Sequence, residues 1–143
     1  MNEMQQLSMI PDGTPEQAQA MGLHYEIVAA AKAAASSLLA LGRKLKQMRD
    51  TKGYKRLGFE SFADYTERAV GIRQRQAYNY ISVVENIPAR LVEENAAAGV
   101  TKLALLAKLG PADQREVSGQ DLAHITVTEL KQIIEEKNGL AEQ

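Results

Sequence analysis

Residues 61–84 read SFADYTERAVGIRQRQAYNYISVV, and the fold of the chain turns on this stretch. Ser61 with Asp64 three residues on is the capping signature that satisfies orphan backbone donors at a helix start. The helix it opens is expected to bury Phe62, Tyr65 and Ala69. Gly71 follows, able to take the positive φ needed just past a helix end, and Ile72 is placed to plug the turn. A second helix restarts at Arg73, where Ala77, Tyr80, Ile81 and Val84 recur at spacings of three and four and make one inward stripe. Its other side carries Gln74, Arg75, Tyr78, Asn79 and Ser82. Two helices joined by a short glycine turn make a helix-turn-helix. The amide, guanidinium and phenol groups on the second helix are the types that reach base edges and phosphates in a major groove. The same spacing also suits a surface helix pair with a solvated polar face, so the rest of the chain must decide.

The chain has 143 residues, 45% of them hydrophobic, which is enough for one domain with a core. It has no cysteine, which excludes disulfides, thiolate metal sites and cysteine nucleophiles. His24 and His124 stand far apart without a neighbour at ligand spacing, so neither a metal nor a cofactor is expected. The apolar stretch from Ile27 to Leu41 is largely alanine and is interrupted by Lys32, Ser36 and Ser37, so it is not expected to span a membrane. The start, MNEMQQLSMIPDG, lacks a basic segment followed by an apolar one and does not read as a secretion signal; a cytoplasmic location is expected, in the host cell if the chain is phage-encoded.

The net charge of −1 conceals a division along the chain. From Arg43 to Tyr80 there are ten Lys or Arg against four acids, a local excess of +6, and the remainder carries −7. Cations are therefore concentrated in and just before the helix-turn-helix, where counterion release from phosphates needs them. Lys52, Lys55 and Arg56, in the connector from Asp50 to Leu57, join the candidate DNA contacts on this ground.

Working outward, residues 1–14 are expected to form a mobile tail. Thr14, Pro15 and Gln17 can open a short helical turn that Met21 or Gly22 interrupts. From Leu23 to Arg49 the positions Ile27, Ala31, Ala34, Leu38, Leu41, Leu45 and Met48 alternate spacings of four and three, the seam of a packed or coiled helix roughly 40 Å long. Its small-residue first half suits packing within the fold or across a homodimer through Ile27 to Met48, while its second half turns basic. Beyond the motif, Pro88 opens a helix expected to run to Ala98 and stop at Gly99, and Thr101 is expected to cap a helix over Lys102 to Leu109. Pro111 starts another, up to Val117. Thr126 with Glu129 caps a final helix carrying Val127, Leu130, Ile133 and Ile134, which Asn138 and Gly139 are expected to end. β-branched residues never alternate over a run bounded by turns. The fold class is all-α with six or seven helices: a tail (1–14), a long helix with a basic second half (15–52), the helix-turn-helix (53–87) and a small C-terminal helical bundle (88–143).

The order of these pieces from Thr66 to Ile134 resembles the helix-turn-helix domain of the ParB and KorB partition-protein family. The resemblance rests on Gly71-Ile72-Arg73 through Ala77, Asn79, Ile81 and Val83, then on Ile87-Pro88-Ala89-Arg90-Leu91-Val92. It continues in Gly99-Val100-Thr101 with Leu103 to Leu109, in Asp113-Gln114-Arg115, and in Ile125 to Leu130. Residues 53–65 are also similar to small helix-turn-helix proteins of phages and mobile elements. The resemblance implies binding to double-stranded DNA, often as a dimer, with Arg73, Gln74, Arg75, Gln76 and Asn79 as base or phosphate contacts. Arg73 stands where the family usually has a capping serine, and nothing resembles the nucleotide-binding half of partition proteins.

The function expected is a non-enzymatic, sequence-dependent DNA-binding protein, a regulator from a phage or mobile element. The alternative is a protein-binding module, for example a mobile-element inhibitor that docks on a host nuclease. An enzyme is not expected: Glu93 with Glu94 and Glu135 with Glu136 are adjacent pairs that diverge by about 100° on a helix, and no Ser, His and Asp constellation or glycine-rich phosphate loop is present.

Overall fold

The computed structural model describes residues 13–142, with side chains as far as Gly139, and all of its regular elements are helical. Helix α1 spans Pro15–Thr51. Its start is a complete capping box: the Gln17 amide donates to Thr14 Oγ1 at 3.1 Å and the Thr14 amide donates to Gln17 Oε1 at 3.2 Å. The interruption expected at Met21 or Gly22 does not occur. One exposed glycine costs about 1 kcal/mol in a helix interior, too little to break a helix of 37 residues. The helix is roughly 55 Å long as a result, rather than 40 Å. It ends where Lys52 takes a left-handed φ of 55°. Of the tail expected over 1–14, residues 1–12 lie outside the described residues and Thr14 is the cap of α1.

A single turn, α2 (Gly53–Arg56), leads to α3 (Phe62–Tyr65), which Ser61 caps, its Oγ accepting from the Asp64 amide at 3.0 Å. The helix does not continue as α. Thr66–Val70 form a π turn in which the amides of Gly71 and Ile72 both donate to the Thr66 carbonyl, at 2.8 and 3.0 Å, before Gly71 turns the chain with φ 86°. The wider turn rotates the following side chains. Thr66 is therefore fully buried and Ala69, expected inside, is exposed. Helix α4 (Gln74–Asn86) follows, then α5 (Ala89–Glu94). A 3-10 turn over Ala96–Ala98 replaces the continuous helix expected up to Gly99. Gly99 itself begins α6 (Gly99–Leu106), which puts Thr101 inside the helix rather than at its cap. Helix α7 is Pro111–Ser118, and α8, Val127–Glu142, runs through Asn138 and Gly139 instead of ending there. Among the described residues there are eight α-helices rather than six or seven, the single turn α2 making the difference.

Two buried clusters hold these helices. One joins Leu45 of α1, Tyr54, Phe62 and the first half of α4 through Ala77 and Ile81, with Ile72 packed against it as the expected plug. The larger one joins Leu39 of α1, Val83 of α4 and Ile87 to the C-terminal helices through Val92, Leu103, Leu106, Val117, Leu122, Leu130 and Ile134. Helices α1 and α4 run through both clusters and are the spine of the fold. Their close approach depends on Gly42, where an added Cβ would lie 2.6 Å from the Tyr80 carbonyl oxygen and 2.7 Å from Val84 Cγ1. The buried Gln114 ties the far end of α4 to α6: its Nε2 donates to the carbonyls of Asn86 at 2.9 Å and Leu109 at 2.8 Å. Among the described residues one helix, α1, is long and apolar enough to cross a membrane by length and composition, although Lys32, Ser36 and Ser37 interrupt it. Its second half is covered by the chain itself at Leu39, Gly42 and Leu45.

Candidate nucleic-acid interface

Helix α4 has one face in the core and one in solvent. Ala77, Ile81 and Val83 are buried, whereas Arg73, Gln74, Arg75 and Tyr78 are exposed and Gln76, Asn79 and Ser82 are half-buried. The helix begins without a side-chain cap, Arg73 having the extended backbone of a cap residue but no capping hydrogen bond. The first amides of α4 are thus presented at a surface flanked by two guanidinium groups, an arrangement that favours an anion by both hydrogen bonding and the helix dipole.

Two of the amide side chains are ordered in advance. Asn79 Nδ2 donates to Gln76 Oε1 at 3.1 Å, one turn apart on the exposed flank. This bond fixes the two planes while leaving Asn79 Oδ1, its second amide hydrogen and the Gln76 amino group for a partner, the groups that pair with adenine. Ser82 is placed differently. Its backbone carbonyl accepts from Asn86 Nδ2 at 3.1 Å and its hydroxyl lies 3.4 Å from the same nitrogen, so it belongs to a local pair toward the end of the helix.

Tyr78 connects this face to the rest of the basic segment. Its ring packs edge-on against Phe62 with centroids 5.7 Å apart, and the Arg49 guanidinium of α1 sits 5.8 Å above it. Arg49 also pairs with Asp50 at 2.9 Å and with Glu85 of α4 at 3.4 Å, and Lys46 lies 3.8 Å from the same Glu85 carboxylate. Burial works against the charge on Arg49, but the hydrogen bonds and charges of Asp50 and Glu85 outweigh it and raise its pKa. The basic end of α1 is therefore fastened along α4 beside Tyr78. The sequence offered no means of pairing Arg49 with Glu85, which is 36 positions away.

The structure gathers Gln74, Arg75, Gln76, Tyr78 and Asn79 on one helix behind Arg73. Lys52, Lys55 and Arg56 are exposed on the turn after α1 and on α2, and the rings of Tyr54, Phe62 and Tyr78 lead from there to α4, the first pair 6.0 Å apart. Of the ten cations between Arg43 and Tyr80, Lys46, Arg49 and Arg68 have carboxylate partners within 4 Å among the described residues. The seven others are exposed.

No protein-family model, curated protein or solved structure matches the chain.

Among the described residues no group of three or more His, Asp or Glu is placed to hold a metal ion. A cleft of about 530 Å³ with no α4 residue in its lining is walled by Pro88, Leu91, Pro111 and Gln114 together with Arg90 and Arg115.

Proposed function

We propose that the protein binds double-stranded DNA, placing the exposed face of α4 in the major groove and laying the cations around α2 and the end of α1 on the flanking phosphates. The observation that carries this reading is the start of α4. An uncapped helix end, two exposed arginines and a half-buried, pre-ordered Gln76–Asn79 pair lie together in the first half of α4, while Ala77, Ile81 and Val83 anchor the helix in the core. The local charge of +6 in a chain of net −1 supports it. The order of motifs that resembles the ParB and KorB helix-turn-helix supports it as well, and the chain is then a regulator of phage or mobile-element origin.

The test is electrophoretic mobility shift on the DNA flanking the coding region, with the Arg73→Ala/Arg75→Ala double variant as control. The expected outcome is a discrete shifted species that the double variant loses while its circular dichroism stays helical. A variant that shifts DNA as the parent does would move the site elsewhere. Absence of any shift, with a stable complex to a nucleic-acid enzyme of the host that survives charge reversal at Arg73 and Arg75, would replace this reading with that of a protein-binding inhibitor.

A further inference from the structure

The stripe of α1 that is buried at Leu45 and half-buried at Leu41 and Leu38 continues toward the N-terminus through Ala34, Ala31, Ile27 and Leu23. There it loses its cover: Ile27 is 58% and Leu23 56% exposed. Where the stripe leaves the body a cleft of about 390 Å³ opens along the same line, walled by Ala34, Leu38 and Leu41 of α1 and by Tyr80, Gly99 and Val100. Large apolar side chains thus stand at one end of the uncovered stripe and a mostly apolar cleft at the other, with alanines between.

We infer that the occupant is α1 of a second copy of this chain, packed antiparallel about a two-fold axis that passes between Ala30 and Ala31. That register sets Leu23 opposite the partner's Leu38 at the cleft and Ile27 opposite the partner's Ala34. By symmetry each copy supplies both the knob and the hole, as a two-fold interface requires. Ala30 and Ala31 at the axis let the two backbones approach. Charge agrees with a copy as partner, because residues 23–38, which face one another in this register, carry only Glu26 and Lys32 and two such segments meet with little repulsion. Length agrees as well: in this register residues 23–38 of the two copies lie side by side over 16 positions, roughly 24 Å, and Leu23 of each copy reaches the cleft of the other. Leu45 and Met48, part of the seam read from the sequence, are taken up by the chain's own core, so the seam left for a partner is Leu23 to Leu38. This dimer does not rest on the DNA reading, and either can fail without the other.

Sedimentation equilibrium of the full chain is expected to give a dimer at tens of micromolar, and the Leu23→Glu/Ile27→Glu variant a monomer. Both positions are exposed in the single chain, so the variant should keep the cooperative thermal transition of the body. Because the chain has no cysteine, Gln19→Cys and Ala33→Cys each place one spin label per copy. In the antiparallel register the axial separations are about 35 Å at position 19 and about 8 Å at position 33. Equal short distances at both positions would mean a parallel pair and overturn the proposal. A parent chain that stays monomeric to several hundred micromolar would overturn it too, including one that instead floats with lipid vesicles.

Discussion

At the scale of single residues, Arg75, Gly42 and Gln114 have separable roles. If Arg75 reads a guanine, Arg75→Ala should cost ~1 to 3 kcal/mol on the cognate sequence and little on others. A small loss shared by all sequences, measured by competition binding, would make it a phosphate contact. Gly42 has no role in binding, yet Gly42→Ala should destabilise the fold by about 1 to 3 kcal/mol in urea unfolding, because the new methyl meets backbone at 2.6 Å and cannot be relieved by a rotamer change. Gln114 is the third case. Its Nε2 satisfies two helix-end carbonyls while its own Oε1 is buried without a partner, so Gln114→Leu strands two acceptors and removes one orphan. A net loss of roughly 1 to 3 kcal/mol is expected, and an unchanged midpoint would mean that the two carbonyls find other donors.

At the scale of elements, what the sequence revealed depended on whether the cause was local. Caps are local. Thr14 with Gln17, Ser61 with Asp64 and Thr126 with Glu129 all bond as the spacing says, and Thr126→Ala should cost ~1 kcal/mol of thermal stability. The glycine turn at Gly71 and the apolar stripe of α4 at Ala77 and Ile81 were legible for the same reason. The π turn at Thr66–Val70 was not, since a regular period of 3.6 residues carries no sign of one extra residue, and Ala69 was placed inside on that assumption. Gly22 and Gly139 were read as stops although glycine in a helix only raises its energy by about 1 kcal/mol, which a cap or packing elsewhere offsets. Contacts between distant positions, such as Arg49 with Glu85 or Gly42 with Tyr80, are set by how α1 lies on α4, and no window of sequence contains both partners. The candidate site was therefore legible on α4 and illegible where α1 joins it.

At the scale of the whole molecule, α1 and α4 run through both cores, so Ile81→Ala, which leaves the exposed face untouched, should lose about 2 to 5 kcal/mol of stability in urea unfolding. Lys137 joins α8 to Glu116 and Asp113 of α7, at 2.9 and 3.7 Å. The hydrogen bond that Lys137 donates to Glu116 leads in raising its pKa. The sign follows: this link is present below the ordinary lysine value and is lost as pH rises through the raised one, so it leaves neutral-pH behaviour flat. Charge partition matters more for the central claim. Seven exposed cations, Arg43 and Lys44 on α1, Lys52, Lys55 and Arg56 at α2, and Arg73 and Arg75 at the start of α4, limit the phosphates one chain can neutralise, since Lys46, Arg49 and Arg68 are already paired. The most direct measurement is fluorescence anisotropy of the purified protein with a duplex carrying its own upstream sequence and with a randomised duplex, across a salt series. The expected result is preference for one sequence and a logarithmic salt slope no steeper than roughly −6 per chain. Absence of binding to any duplex at low salt would contradict DNA recognition by α4.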